Sequence, residues 1–280
     1  MSASVSIDHP VYRLHRGSAP LLVSIPHMGT ELPAALRAGY TAKAAQLADT
    51  DWHLDRLYAF AESLGASVIG ARISRYVIDL NRPPGGESLY PGQTTTGLCP
   101  TETFRGEPLY LPGEEPDDAQ RARRVEEYWK PYHRALEAEL ARLRALHGRV
   151  LLWEAHSIAS HLPRLFEGKL PDLNFGTNDG RACDTALLEA ALEPLRHGAP
   201  VGLTHVVNGR FKGGYITRHY GRPEAGVHAI QLEMCQSVYM DEEAPFAYRP
   251  ERAAIVQPLL RNMIASALGH LGGAPVAERS

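Results

Sequence analysis

Short apolar runs alternate along this chain with longer stretches in which apolar residues return every three or four positions. The run "PLLVSIPH" (20–27) is stopped by Pro26 and followed by Gly29, which predicts a strand feeding a loop. Residues 49–65, "DTDWHLDRLYAFAESLG", predict a helix with Leu54, Leu57, Tyr58, Ala61 and Leu64 on one face and Gly65 as its stop. Two strands are predicted next, "ASVIGARI" (66–73) and "YVIDLN" (76–81). A helical stripe of Val125, Tyr128, Tyr132, Leu136, Leu140 and Leu143 runs within 117–147, interrupted by Pro131 and closed by Gly148. Further strands are predicted at 149–155, near 200–208 and at 226–236, and helices near 182–196 and 251–269.

Between 83 and 116 the periodicity disappears into a stretch dense in Gly, Pro and Thr. Structureless loops beyond about 15 residues are uncommon in compact domains and are usually functional or disordered. The aromatic and leucine residues here argue against simple disorder, so a lid-like segment is expected. With no internal repeat and no linker, the alternation predicts one α/β domain over residues 1–280 with a mixed sheet.

Composition changes this picture little. Of 280 residues, 44% are hydrophobic and 22% charged, ordinary for a globular protein. A formal net charge of -3 and the lack of any basic run give no reason to expect a nucleic-acid partner. No apolar stretch approaches the roughly 20 residues that cross a bilayer. Cys99, Cys183 and Cys235 are far apart and show no metal-knuckle spacing, so a reducing cytoplasm is expected.

The strand ends carry the candidate chemistry. In open α/β sheets ligands sit beyond the carboxyl ends of strands. There the predicted strands deliver His27, the pair Asn81–Arg82, His156 and Glu233. Asp51, at the start of a predicted helix, is turned toward the core, although Asp49, Thr50 and Asp51 all suit a helix N-cap. Two histidines and a carboxylate, with a second carboxylate nearby, form the inventory of a catalytic metal site with one position open for water. The assignment is His27, Asp51 and His156 as ligands and Glu233 as general base, with Glu154 buttressing a ligand. Arg75, Asn81 and Arg82 suit a carboxylate, because guanidinium presents a planar fork. A second cationic set, Arg210, Lys212 and Arg218, surrounds Gly213–Gly214, where backbone can approach a ligand closely. Two separate cationic sets suit a small substrate with two negative ends.

The ordered motifs "SIPHMGTELP", "DTDWHLDRLY", "SRYVIDLNRP", "PYHRAL", "LLWEAHSIAS", "NGRFKGGYITRHYG" and "HAIQLEMCQSVYMDE" resemble those of the N-formylglutamate amidohydrolases over roughly residues 20–243. That family is similar to the zinc carboxypeptidases and succinylglutamate desuccinylases. The resemblance implies their phosphorylase/hydrolase-like three-layer α/β/α fold, with zinc on His27, Asp51 and His156. It further implies the substrate α-carboxylate on Asn81 and Arg82, and Glu233 as base. The peptidases place their acidic ligand three residues after the first histidine, a position held here by Thr30 and followed by Glu31. The implied reaction is hydrolysis of N-formyl-L-glutamate to formate and L-glutamate, closing one histidine-degradation route. Arg75 would help stabilise the tetrahedral oxyanion, and the Arg210–Arg218 loop would hold the γ-carboxylate. Three alternatives stay open. They are an amidohydrolase for another N-acyl or formimino amino acid, a non-catalytic dicarboxylate-binding protein, and a serine hydrolase using Ser157 beside His156.

Overall fold

The structure, a computed structural model, describes residues 5–89, 92, 95–198 and 200–272. Among them eight strands form one sheet: β1 (Val5–Asp8), β2 (Tyr12–Arg16), β3 (Leu21–Ile25), β4 (Ser67–Ala71), β5 (Val150–Ile158), β6 (Leu173–Gly176), β7 (His205–Val207) and β8 (Val227–Cys235). Their order is β1-β2-β4-β3-β5-β8-β6-β7. The central β4, β3, β5 and β8 pair in parallel, whereas the β1–β2, β2–β4 and β6–β8 pairings are antiparallel. The fold is therefore the mixed-sheet, three-layer α/β/α architecture that the resemblance implied.

The period-two alternation of the central strands sorts the core into two faces. Leu21, Val23, Ile25, Leu151, Trp153, Ala155, Ile230, Leu232 and Met234 pack on one face. α1 (Ala34–Arg37) is a single helical turn after β3, and the first face is covered by α2 (Leu54–Leu57), the 3₁₀ turn Ala59–Leu64, α5 (Thr185–Gly198) and α7 (Pro250–His270). Leu22, Leu152, Val227 and Ala229 pack on the other face against α4 (Lys130–His147), through Tyr132, Leu136, Leu140 and Leu143, and against Ile216 of α6 (Tyr215–Tyr220). On this second face the apolar side chains stop halfway along the strands. The next positions are Glu154 and His156 on β5 and Gln231 and Glu233 on β8, which stand side by side in the β5–β8 register. The polar residues at the strand ends thus begin where the apolar cover from α4 ends.

Several sequence expectations change. Residues 49–65 do not form one helix, because His53 adopts a left-handed backbone conformation (φ 62°) and only four residues of α-helix and a 3₁₀ turn follow. The apolar face still forms, since Leu54, Leu57, Tyr58, Ala61 and Leu64 are all buried. Residues 76–81 form no strand. Their backbone groups go to turns and to the neighbouring segment, with Val77 N–H on Ser74 O and Asp79 N–H on Leu98 O. The strand near 200–208 shortens to three residues, the one at 149–155 extends through Ile158, and β1, β2 and β6 are additions. The stripe at 117–147 is α3 (Asp118–Arg124), a π-helical turn at Val125–Trp129, and then α4. Pro131 lacks an N–H and would clash inside a regular helix, and the wider turn just before it takes up the mismatch.

The described part of 83–116 has no helix or strand, yet it is docked by buried Leu98, Cys99, Leu109 and Tyr110. Residues 90, 91, 93 and 94 of the expected lid lie outside the described residues, as do both ends of the 1–280 chain. No helix among the described residues is long and apolar enough to cross a membrane.

Trp153 is wholly buried at the centre of β5, and its indole N–H donates to Tyr58 Oη at 3.1 Å. Trp153→Ala is expected to cost about 3–5 kcal/mol, from lost burial plus the cavity left behind. Urea unfolding measures this, and a loss under about 1 kcal/mol would contradict the packing described.

Candidate metal centre and active-site cleft

His27 follows β3, and its carbonyl accepts the Asp51 N–H at 3.0 Å, so backbone pairing brings these two distant residues together. The stretch that carries Asp51 is held from several sides. The Thr50 carbonyl accepts from Gln236 Nε2 at 3.0 Å, the Trp52 carbonyl from Tyr239 Oη at 2.9 Å, and the Asp49 carboxylate from the Phe104 N–H at 2.8 Å. These bonds replace the helical ones expected for 49–53, and Asp51 caps no helix. Its carboxylate turns inward, fully buried.

His27, Asp51 and His156 offer ligand atoms that all lie within 4.8 Å of one another. Asp51 Oδ2 is 3.8 Å from His27 Nδ1 and 3.1 Å from His156 Nδ1. The other nitrogen of each ring is held by a carboxylate. His27 Nε2 lies 2.6 Å from Asp79 Oδ1, and His156 Nε2 lies 2.9 Å from Glu154 Oε1. A carboxylate only accepts, so each Nε2 directs a proton at Asp79 or Glu154, and Nδ1 is the ring atom that faces Asp51 and can serve as a ligand once it carries no proton. Glu154 is fixed in turn by Thr217 Oγ1, which donates to it at 2.6 Å. Asp79 also accepts from the Asn81 N–H at 2.8 Å and from Arg75 at 2.9 Å.

The charges in this cluster do not balance. Asp51, Asp79, Glu154 and Glu233 are all buried, and Arg75 is the buried guanidinium beside them. The consequence shows in the titrating groups. Burial, with the negative charges of Asp51 and Glu154 added, pushes Glu233 up to about 8 against the opposing pull of His156 and Arg75. Burial works against a charged His156, but hydrogen bonds to Asp51 and Glu154 outweigh it and push the ring up to about 10. His27 is lowered, by burial first and then by Arg75. Asp79 stays well below the usual carboxylate range despite burial, because His27 and Arg75 stabilise its charge.

A cation fits this site on evidence internal to it. Asp51 Oδ1 is buried with no hydrogen-bond partner, which is costly unless something else coordinates it. The donors are two imidazoles and one carboxylate, each imidazole buttressed from behind, which is a zinc-type set of three protein ligands. Two ligands on one ion stand at most roughly 4 Å apart, close to the spacing found here.

The cleft above these atoms is lined by His27, Arg75, Asn81, Arg82, His156, Arg210, Gly214, Gln231 and Glu233, among others. The structure thus gathers most of the residues singled out in the sequence. Lys212 instead pairs with Asp179 at 3.1 Å, and Arg218 Nε donates to the Gly213 carbonyl at 2.8 Å; neither they nor Gly213 line the cleft. Arg82 Nε donates to the Thr96 carbonyl at 3.0 Å, and the Arg75 guanidinium lies over the Phe104 ring at 4.7 Å, so the 83–116 segment is tied to both arginines. Asn81 Oδ1 accepts the Ile216 N–H at 2.8 Å, and its Nδ2 lies 3.0 Å from His156 Nε2. Gly214 permits this approach, for a Cβ there would stand 2.3 Å from Asn81 Nδ2. Glu31 is exposed and pairs with Arg72 at 2.8 Å, away from the cleft. Ser157 points to the opposite sheet face, its Oγ 2.7 Å from Tyr239 Oη, so it makes no nucleophile–base contact with His156.

Sequence reasoning missed Asp79 and Gln231. Each is a polar residue inside an apolar run, the same signal that singled out Glu233.

Comparison with known proteins gives the family. Residues 19–240 match the family model described as N-formylglutamate amidohydrolase. The chain is 54% identical over 258 residues to an N-formylglutamate deformylase of Pseudomonas aeruginosa, covering 92% of this chain and 96% of that one. It is 50% identical to one of Pseudomonas putida, with the same shares covered. A crystal structure of N-formylglutamate amidohydrolase from Ralstonia eutropha shares the fold at TM-score 0.76 and 24% identity, covering 94% of this chain and 98% of that one. A gene product from Agrobacterium tumefaciens shares it at TM-score 0.68 and 21% identity, covering 94% and 96%. Its matched motifs, in order along most of its length, make this chain a member of the N-formylglutamate amidohydrolase family.

Proposed function

We propose that this protein hydrolyses N-formyl-L-glutamate to formate and L-glutamate, with a divalent metal ion, zinc, held by His27, Asp51 and His156. The observation that carries the reading is the meeting of these three buried ligands at the floor of a cleft that both histidines and Glu233 line. The substrate follows from relatives named N-formylglutamate deformylase at 54% and 50% identity over nearly the whole chain. Bound there, the ion supplies Lewis acidity and makes water acidic enough to lose a proton near neutral pH.

The chain's own groups do the rest. Glu233 takes a proton from the attacking water as oxygen adds to the formyl carbon. The C–N bond then breaks, and the same carboxyl group passes the proton to the departing amine nitrogen. Arg75, buried and aimed by Asp79, offers a fixed donor for the oxyanion that forms at the formyl oxygen. Arg82 and Asn81 hold the α-carboxylate. Arg210 is the cation of the 208–214 loop that lines the cleft, and it receives the γ-carboxylate. Lys212 and Arg218 hold the shape of that loop around Gly213 and Gly214. The docked 83–116 segment keeps the dicarboxylate in place. The three cysteines are unpaired and buried, which suits a reducing cytoplasm, and the reaction suits the last step of a histidine-degradation route.

Incubation with N-formyl-L-glutamate should release formate and glutamate in equal amounts. Chelation should abolish this and added zinc restore it; activity and metal content that both survive a strong chelator would contradict the metal reading. Glu233→Gln should lose at least about a hundredfold in kcat while keeping the metal and the unfolding midpoint, because the base is lost and the Lewis acid stays. Near-normal turnover would remove Glu233 from the mechanism. Metal binding also has a proton signature. With His156 at about 10, the ring is charged at pH 7 in the metal-free protein and must lose a proton to become a ligand. Zinc addition at pH 7, followed by calorimetry in two buffers of different ionisation enthalpy, should show about one proton or more released per site. Affinity should rise with pH toward about 10, and zero release would contradict the assignment of His156.

A further inference from the structure

Gln231 stands on β8 one β-step before Glu233, on the same face, and lines the cleft while its residue as a whole is only 3% exposed. A neutral amide is an unusual choice beside Glu154 on a strand face whose earlier positions are Val227 and Ala229. Its orientation is fixed by a backbone group. Gly214 N–H needs an acceptor, and Gln231 Oε1 supplies it at 2.7 Å. That bond decides which end of the amide faces the ligand. With the oxygen committed to Gly214, the group left for the cleft is Nε2, a donor with no hydrogen-bond partner among the described residues.

The surroundings say what such a donor would meet. Arg82 and Arg210 line the same cleft, so a ligand there carries negative oxygens. Gln231 lies further along the sheet from the strand ends than Glu233, on the inner side of the reacting group. We propose that Gln231 is a specificity-determining residue whose Nε2 donates to the side-chain carboxylate of the substrate, working beside Arg210. The inference rests on the N-formylglutamate reading above. A fixed N–H donor complements a carboxylate oxygen and penalises an alkyl side chain of the same length, which leaves that donor buried and unsatisfied.

Two variants separate this role from a structural one. Gln231→Glu keeps an acceptor for Gly214 N–H, and Gln231→Met keeps the length but removes every polar atom. Both should raise KM for N-formyl-L-glutamate about tenfold to a hundredfold, the range for one hydrogen bond to a charged group, and Gln231→Met should keep kcat within about threefold. For Gln231→Met, kcat/KM on N-formyl-L-norvaline, which has the same chain without the carboxylate, should stay level or rise. Circular dichroism and the unfolding midpoint check that each variant folds. A glutamate-substrate KM within about twofold of wild type in either folded variant overturns the proposal. So does an equal loss on both substrates, which would mark a purely structural role. Absence of N-formylglutamate turnover in the wild-type protein would instead overturn the reading on which the inference rests.

Discussion

Four buried carboxylates crowd the ends of β3, β5 and β8, and the arrangement of this molecule depends on how their charge is offset. Each would be expensive alone in the interior. Asp79 is stabilised by His27 and Arg75, and Glu154 by Thr217 and His156. Asp51 is left with one oxygen satisfied by no hydrogen bond, and Glu233 holds its proton up to about 8. A divalent cation held by His27, Asp51 and His156 would resolve both deficits together. Bound there as proposed, it would neutralise the under-satisfied Asp51 carboxylate and favour the ionised form of Glu233. The same cost explains why the site sits beyond the apolar cover from α4, where the sheet face changes from Leu152 and Ala229 to Glu154, His156, Gln231 and Glu233.

Regular strands provide half of this geometry and irregular backbone the other half. The parallel register of β5 and β8 sets His156 beside Glu233 with no further help. Asp51, Arg75, Asp79 and Asn81 come from segments without strand or long helix, and tertiary hydrogen bonds hold each one. Asp51 N–H rests on His27 O, Asp79 accepts the Asn81 N–H, and Asn81 Oδ1 accepts from the first turn of α6. The 83–116 segment joins this lattice through Phe104 on Asp49 and Arg82 on Thr96. Loops can place catalytic groups with this precision only when a rigid scaffold pins them from several sides.

This division explains which parts were legible in the sequence. The runs that became β3, β5 and β8 are short, apolar and bounded by breakers, so the strands and the ionisable residues at their ends could be read directly. The stripe on α4 was equally plain, and Pro131 marked the place of the π turn. Residues 76–81 misled because an apolar run reports burial and not hydrogen-bond pattern; Tyr76, Val77, Ile78 and Leu80 are all buried, but in turns. The helix expected over 49–65 failed where polar residues found distant partners that local propensity cannot register. Lys212 and Arg218 matched Arg210 in charge and nearness, yet only the fold reveals that one faces Asp179 and the other the Gly213 carbonyl. Asp79 carried a usable signal, a carboxylate within an apolar run, and its partner His27 lies 52 residues away.

Whether His27, Asp51 and His156 share one cation can be read from X-ray absorption at the zinc edge of the metal-loaded protein. The expected spectrum shows one zinc per chain with two imidazole nitrogens and carboxylate and water oxygens as neighbours, and loss of one imidazole contribution in His27→Ala. A shell that contains sulfur, or one that keeps both imidazoles in His27→Ala, would contradict it.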